Sequence, residues 1–510
     1  MLSARRSYLQ YVFELIGLPI RPDYWDYQFK IHHKIDDYNS ITFLGLGSID
    51  DFSVEPPDQF DPESQATIEQ VPIIKQKTLT LGVSWSRKYK SGKGLVTTSL
   101  SSNKLINDFS RFSNNIIQSG IIYKNDSKEQ ESKLRVHFKE FKEKFKLSYG
   151  FNLQHSSYFN NTQIIQNQGN YYTSIDFFKY GFFGNFSRYF FDDKLSFSIG
   201  IRTDGDTFTD GSGLLKNISP RVSMSYKISE DQKWRLNSSI GSYFKIPTYT
   251  TLGYKNSNDN FINKQNKYIQ SDHFVMGLEY NWNSSSRITI EGFLKNYNRY
   301  PVSIIDQVSL ANKGGGFEVL GNEPISDTGT GSSYGIEFLF NQKLNKNFYG
   351  IFALTHFYSR FSNVDGPNIP TVWDSRNLIS FTGGYKLDRN WEISLRYRYA
   401  GRTPYPPVDI EKSLEVYPIL IYDYNDMGSQ KIGVFSQADL RIDKKWNFKN
   451  LSFNFFIDIQ NFLAQINPQP EEFGLERNID GSIVFPENLI PIQSERSRSP
   501  IPSFGLVFDF

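Results

Sequence analysis

The last ten residues of the chain, Ile501–Phe510, read IPSFGLVFDF. In a strand, successive side chains point to opposite faces. Phe504, Leu506, Phe508 and Phe510 therefore share one face, and Gly505, Val507 and Asp509 share the other. The segment is an apolar stripe backed by a mostly small or polar one. At the terminus of a soluble protein, an exposed apolar edge strand invites aggregation. The same strand fits a barrel whose outer face meets lipid. Taken alone, these ten residues also fit the terminal strand of a soluble sandwich, and the rest of the chain decides.

The chain has 510 residues, a formal net charge of +2 and no cysteine. Only 38% of it is hydrophobic, yet 16% is aromatic, with 44 Phe and 31 Tyr. No run approaches the roughly 18–20 apolar residues of a spanning helix. Aromatic enrichment with a polar average suits many half-apolar strands flanked by aromatic girdles. The near-neutral charge gives no support for nucleic-acid binding. The absence of cysteine excludes disulfides and thiolate metal sites. Arg5–Arg6 ahead of Tyr11–Ile20 imitates an export signal, but Glu14 interrupts the apolar run and Pro19, Arg21 and Pro22 follow it.

Alternating runs recur along the chain. Phe145, Leu147, Tyr149, Phe151 and Leu153 alternate with polar or small residues, as do Leu195, Phe197, Ile199 and Ile201. Trp391, Ile393, Leu395, Tyr397 and Tyr399 alternate with Glu392, Ser394, Arg396, Arg398 and Ala400. Tight polar turns join the runs in pairs, for example Phe191–Lys194, Asn283–Ser286 and Asp388–Asn390. Longer connections separate the pairs, among them Ser53–Val71, Leu105–Asn115, Asn160–Asn170, Lys245–Lys267, Pro301–Ser332, Arg402–Val434 and Ala464–Pro500. Short turns at one end and long loops at the other are the asymmetry of an outer-membrane barrel. The pattern predicts about twenty strands, most near the roughly 9–11 residues of a tilted membrane strand. No Pro/Gly/Ser-rich linker marks a boundary, so residues 1–510 read as one domain. Tyr8–Gly17 reads as a short helical stretch in a loop.

In hydrocarbon every backbone polar group must be paired internally, and without helices only a closed sheet does this. The apolar stripe is then the lipid face and the polar stripe lines a lumen. About twenty strands enclose a lumen too wide for its own side chains to fill. Glu392, Arg396, Arg398, Asp439, Arg441 and Asp443 fall on that lumen wall. They serve either as substrate contacts or as a solvated, mutually paired lining. In GRTPYPP, Gly401–Pro407, glycine and proline end the strand and stiffen the loop that follows. Tyr405 there is a candidate to bind a ligand. His32–His33 point to opposite faces of a strand and cannot readily share an ion. Asp50–Asp51 and Asp204–Gly205–Asp206 read as residues at the start of loops. No nucleophile elbow or Ser/His/Asp grouping stands out, and no metal or cofactor is expected.

Several stretches resemble the barrel of TonB-dependent outer-membrane receptors, in the form common in Bacteroidetes-type bacteria. They include MLSARRSYLQ at Met1–Gln10, ITFLGLGSIDDF at Ile41–Phe52, SIGSYFKIPTYTTLGY at Ser239–Tyr254 and SSYGIEFLF at Ser332–Phe340. Trp373–Asp409, DLRIDKKWNF at Asp439–Phe448 and FIDIQNF at Phe456–Phe462 add to them. The resemblance implies an all-β transmembrane antiparallel barrel of about 22 strands, with a plugged lumen, short periplasmic turns and long extracellular loops. It implies import of a scarce nutrient such as a siderophore, vitamin or oligosaccharide, driven through the TonB–ExbB–ExbD motor. It also makes Phe504, Leu506, Phe508 and Phe510 the signal shown to the barrel-assembly machinery. Outer-membrane lipid and a surface lipoprotein are further implied partners. Against that pattern, the sequence is expected to lack a signal peptide, TonB box, plug and first two strands. A passive wide-pore channel and a nonfunctional transporter fragment are the alternative readings.

Overall fold

The computed structural model describes residues 1–510 except 16, 57–59, 165–170, 211, 314–318, 364–365, 493–499 and 510. The alternating runs fold as antiparallel strands, each paired with the next along the chain. The first quarter supplies β1 (Leu2–Arg6), β2 (Ile20–Lys34), β3 (Asn39–Val54), β4 (Ile73–Lys88), β5 (Gly94–Asn114) and β6 (Ser119–Phe141). Then come β7 (Phe145–Ile164), β8 (Tyr171–Phe190), β9 (Leu195–Asp206), β10 (Ile218–Lys227), β11 (Trp234–Lys245) and β12 (Ile269–Asn281). Next are β13 (Ser286–Ser303), β14 (Ile325–Asn345), β15 (Phe348–Ser362), the short β16 (Asn368–Pro370), β17 (Asn377–Leu387) and β18 (Trp391–Ala400). A loop hairpin, β19 (Thr403–Tyr405) and β20 (Gln430–Ile432), precedes β21 (Phe435–Asn447) and β22 (Ser452–Gln460). A second loop hairpin, β23 (Phe473–Leu475) and β24 (Leu489–Pro491), precedes β25 (Ile501–Asp509).

One sheet of 21 strands contains all but the two loop hairpins. Leaving aside β16, which pairs with three residues of β15, 20 strands form a continuous up-and-down wall. Its ends do not meet: among the described residues β1 pairs with β2 and β25 pairs with β22, and neither has a second strand partner. The turn–loop asymmetry expected from sequence is present. The connection from β14 to β15 is two residues, and that from β18 to β21 holds a helix, α4 (Ile410–Glu415), besides its hairpin. Three further helices lie in long connections: α1 (Leu9–Leu15), α2 (Pro62–Gln70) and α3 (Tyr249–Gly253). The first falls within the predicted helical stretch Tyr8–Gly17.

Period-two patterning sorts the faces. Ile393, Ile442, Ile457 and Phe504 stand side by side across four strands, and Ile393, Ile457 and Phe504 are exposed. Such exposure on a whole face suits contact with lipid. Near the short turns this face carries aromatic pairs. Trp234 and Tyr280 lie 4.4 Å apart between ring centroids, and Trp446 and Phe453 lie 5.3 Å apart. Lys444 reaches over the rings of Trp391 and Trp446, at 5.2 and 5.5 Å. A long amphipathic side chain beside indole rings is the arrangement favoured at a membrane–water interface. Phe508 joins this girdle through Phe453, 5.0 Å away. Phe510 lies outside the described residues.

Four expectations are corrected. Leu105–Asn115 is not a long connection: β5 runs through Asn114 and pairs with β6, and only Asn115–Gln118 turn. The side-chain oxygen of Asn115 accepts from the Phe112 backbone, and its amide donates to the carbonyl oxygens of Ile68 and Val71. The ladder therefore continues where its sequence turns polar. The strands are also longer than the membrane requires, reaching 21 residues in β5 and 23 in β6, because pairing extends beyond the apolar belt. Asp50–Asp51 and Asp204–Asp206 lie inside β3 and β9 rather than in loops. Asp206 is a buried hub that accepts from the backbone of Phe208 and Thr209, the Thr209 hydroxyl and the Tyr268 hydroxyl. The predicted connection Asn160–Asn170 is strand through Ile164, and its remainder, 165–170, lies outside the described residues.

Candidate functional site

The inner face is built by the polar half of each alternation. β18 and β21 are paired so that Arg396 stands opposite Asp439 and Glu392 opposite Asp443. Asp439 is buried and lies 2.6 Å from the Arg396 guanidinium and 3.7 Å from that of Arg398. Its other oxygen accepts from the Gln437 amide at 2.7 Å and the Asn461 backbone at 3.0 Å. One carboxylate thus orders two guanidinium groups. Arg441 binds Asp443 through two nitrogens, both at 2.8 Å, and lies 3.8 Å above the Phe456 ring. The fork geometry and the aromatic face both suit a guanidinium better than an ammonium. The Tyr349 hydroxyl donates to Glu392. The structure therefore gathers Glu392, Arg396, Arg398, Asp439 and Arg441 on one inner patch, where Asp439 pairs with Arg396 and Arg398, Arg441 with Asp443, and Glu392 with Tyr349. Tyr405 is not part of it. Its backbone is held in the loop ladder opposite Gln430, because Pro404 and Pro406 take the chain out of the wall's hydrogen-bond register.

Three loops fold inward above this wall and add polar clusters that the sequence reading did not single out. Thr248 caps α3, which lays Tyr249 and Leu252 against Tyr158, Ile175 and Phe177 of β7 and β8. The Tyr249 hydroxyl donates to Glu131, and Lys179 reaches the same carboxylate at 3.0 Å. Burial, then Glu131, raises the Tyr249 pKa and keeps the phenol protonated. In the second loop, Asp61 caps α2, with Pro62 at its first position. Glu69 of that helix meets Arg477 at 2.6 Å and the Tyr417 hydroxyl at 2.5 Å. Burial, then Glu69, raises the Tyr417 pKa. These groups border a cleft of about 370 Å³ that also includes Ala66, Leu475 and Ile492. In the third loop, Lys313 sits between Asp306 at 2.5 Å and Glu323 at 2.6 Å. Burial opposes the Lys313 charge, but Glu323 and Asp306 outweigh it and raise its pKa.

The α2 cap could have been found from the DPES run at Asp61–Ser64. Its partner could not, since Arg477 is 408 residues away. Among the described residues no group of three or more His, Asp or Glu is placed to hold a metal ion. His32 pairs with Thr42 on one face, and its neighbour His33 is opposite Ile41.

The arrangement is that of a polar channel wall roofed by loops. Residues 22–462 match the family described as TonB dependent receptor-like, beta-barrel. The chain belongs to that family. A comparison with curated proteins finds no match. The fold of this receptor-family barrel is similar to that of the copper transporter OprC, with TM-score 0.64 and 13% identity, over 96% of this chain and 72% of that one. It is likewise similar to the ferripyoverdine receptor of the Pseudomonas aeruginosa outer membrane, with TM-score 0.65 and 11% identity, over 99% and 67%. A third similar structure is the ferric-catecholate import receptor Fiu of K12 E. coli, with TM-score 0.63 and 10% identity, over 97% and 76%.

Proposed function

We propose that this chain forms the wall and outer roof of an outer-membrane receptor that imports a scarce nutrient with TonB-coupled energy. The observation that carries this reading is the family match across residues 22–462, joined to a lumen whose charged lining is held in pairs beneath inward-folded loops. A lining satisfied by its own partners can solvate a passing polar ligand without trapping it. Copper, ferripyoverdine and ferric catecholates, named for the three similar structures, are the starting substrate panel. In this reading, residues 1–510 act as one barrel domain. Glu392, Arg396, Arg398, Asp439 and Arg441 form a wall contact for cargo, and Tyr405 a loop contact. Phe504, Leu506, Phe508 and Phe510 present the closing strand to the barrel-assembly machinery. TonB–ExbB–ExbD supplies energy through a plug segment, and a surface lipoprotein is a further partner.

The test is uptake of labelled cargo from that panel by cells carrying the receptor, with and without an intact proton-motive force. Saturable uptake abolished by an uncoupler is expected. Large ohmic current in planar bilayers, with uptake indifferent to the uncoupler, would overturn the reading in favour of a passive pore.

A further inference from the structure

The lipid-facing side of the wall carries a dent that its patterning does not require. Across β12 to β15, one row holds Phe274, Leu294, Tyr334 and Tyr358. The next row toward the short turns holds Met276, Gly292, Ile336 and His356. Gly292 interrupts a belt of large side chains. A methyl group placed on it would meet only the Met276 carbonyl oxygen, at 3.9 Å. The result is an almost wholly apolar groove of about 390 Å³ on the outer face. Toward the long loops the groove ends at Tyr334 and Tyr358, stacked at 5.1 Å with 12° between their planes. Two guanidinium groups stand over that stack, Arg376 at 4.0 Å and Arg360 at 5.9 Å from the Tyr358 ring. Arg376 shares one nitrogen with buried Asp374 at 3.1 Å. The Arg360 side chain has neither a hydrogen bond nor an ion pair among the described residues and its Nε is buried without a partner, although its charge also acts on the buried Asp374 carboxylate. Asp272 is the carboxylate on the Arg360 row, two strands beyond Ser332. It is occupied by the Ser242 hydroxyl and the Gln270 amide.

We propose that this groove is a binding site for one acylated phosphoglycolipid of the leaflet on the long-loop side. An acyl chain lies in the dent at Gly292, and a phosphate meets Arg376 and Arg360 above the tyrosine stack. The proposal rests on the outer-membrane reading above. Three features favour this occupant. The groove opens where lipid must lie. It sits at the upper edge of the apolar belt, since Asn296 and Ser332 form the next row. Its head carries forked cations suited to phosphate oxygens.

The receptor is purified from outer membranes in mild detergent, and bound phosphoglycolipid per chain is counted by native mass spectrometry. Gly292→Phe fills the dent and is expected to lower occupancy at least about fivefold. Arg360→Gln, which breaks no side-chain hydrogen bond, is expected to lower it about fivefold, the scale of one interfacial cation. Gly184→Phe, at another glycine with open space, controls for an added aromatic and is expected to keep wild-type occupancy. Heat-modifiable mobility verifies that each variant is folded. Wild-type lipid content in folded Gly292→Phe would overturn the site. Equal retention of dephosphorylated glycolipid would overturn the phosphate contact. Failure of the wild-type chain to fractionate with outer membranes would instead overturn the reading on which the site rests.

Discussion

Asp439 holds the inner patch together because it is buried and surrounded by donors from three directions. Arg396 and Arg398 come from β18, Gln437 from its own strand, and Asn461 from the end of β22. Asp439→Asn keeps the volume and removes the charge that orders both guanidinium groups. Charge-assisted hydrogen bonds contribute about 1.5–3 kcal/mol each, so this variant should unfold at a lower temperature in detergent. Differential scanning calorimetry checks it, and an unchanged midpoint would refute the role. Lys313 supplies a pH signature. Its folded pKa lies above the ordinary 10.5, so the stability of its loop is fully present below that value. It is lost as pH rises through the folded pKa. Protease resistance of the loop between β13 and β14 should therefore persist through neutral and mildly alkaline pH and fall only in strong alkali. In Glu323→Gln the loss should move to lower pH.

The terminal strand shows how one element meets two solvents. β25 pairs with β22 in an unbroken register from Gln460 opposite Ile501 to Ser452 opposite Asp509. Its apolar side continues the lipid belt, and its other side faces the lumen. There Gly505 stands opposite Phe456, whose ring occupies the space that a side chain at 505 would need. That ring also supports Arg441. Gly505→Val must displace the ring, and overpacking of this kind costs about 1–3 kcal/mol. The folded fraction of Gly505→Val by heat-modifiable mobility should fall, whereas Ser503→Val on the same face should be tolerated. The alternation in IPSFGLVFDF was enough to assign both faces. It was not enough to show why the residue at 505 is glycine, because that reason lies on the neighbouring strand.

At the scale of the whole molecule, loops tie together parts of the wall that the ladder does not join. Glu69 follows β3, Tyr417 follows β18, and Arg477 follows β22. They meet on the long-loop side of the wall. The clasp joins a loop after β3, near one end of the sheet, to a loop after β22, next to the strand at the other end. A double-mutant cycle of Glu69→Gln and Arg477→Gln should give a coupling of about 0.5–3 kcal/mol in unfolding free energy. Additive effects would mean that the loops are stabilised independently.

What the sequence determined by itself is the wall. Side chains in a strand alternate with a fixed period, and turns demand particular residues, so faces, hairpins and the lumen positions of Arg396 and Asp439 can be read locally. What only the tertiary structure decided is the roof and the dent. Glu131 meets Tyr249 across 118 residues, and Glu69 meets Arg477 across 408. Nothing in local periodicity encodes such pairings, because loops have no repeat and their contacts depend on where the barrel brings their ends. The same holds for Gly292. A glycine in a strand becomes a groove only when Met276 and Ile336 stand on either side of it.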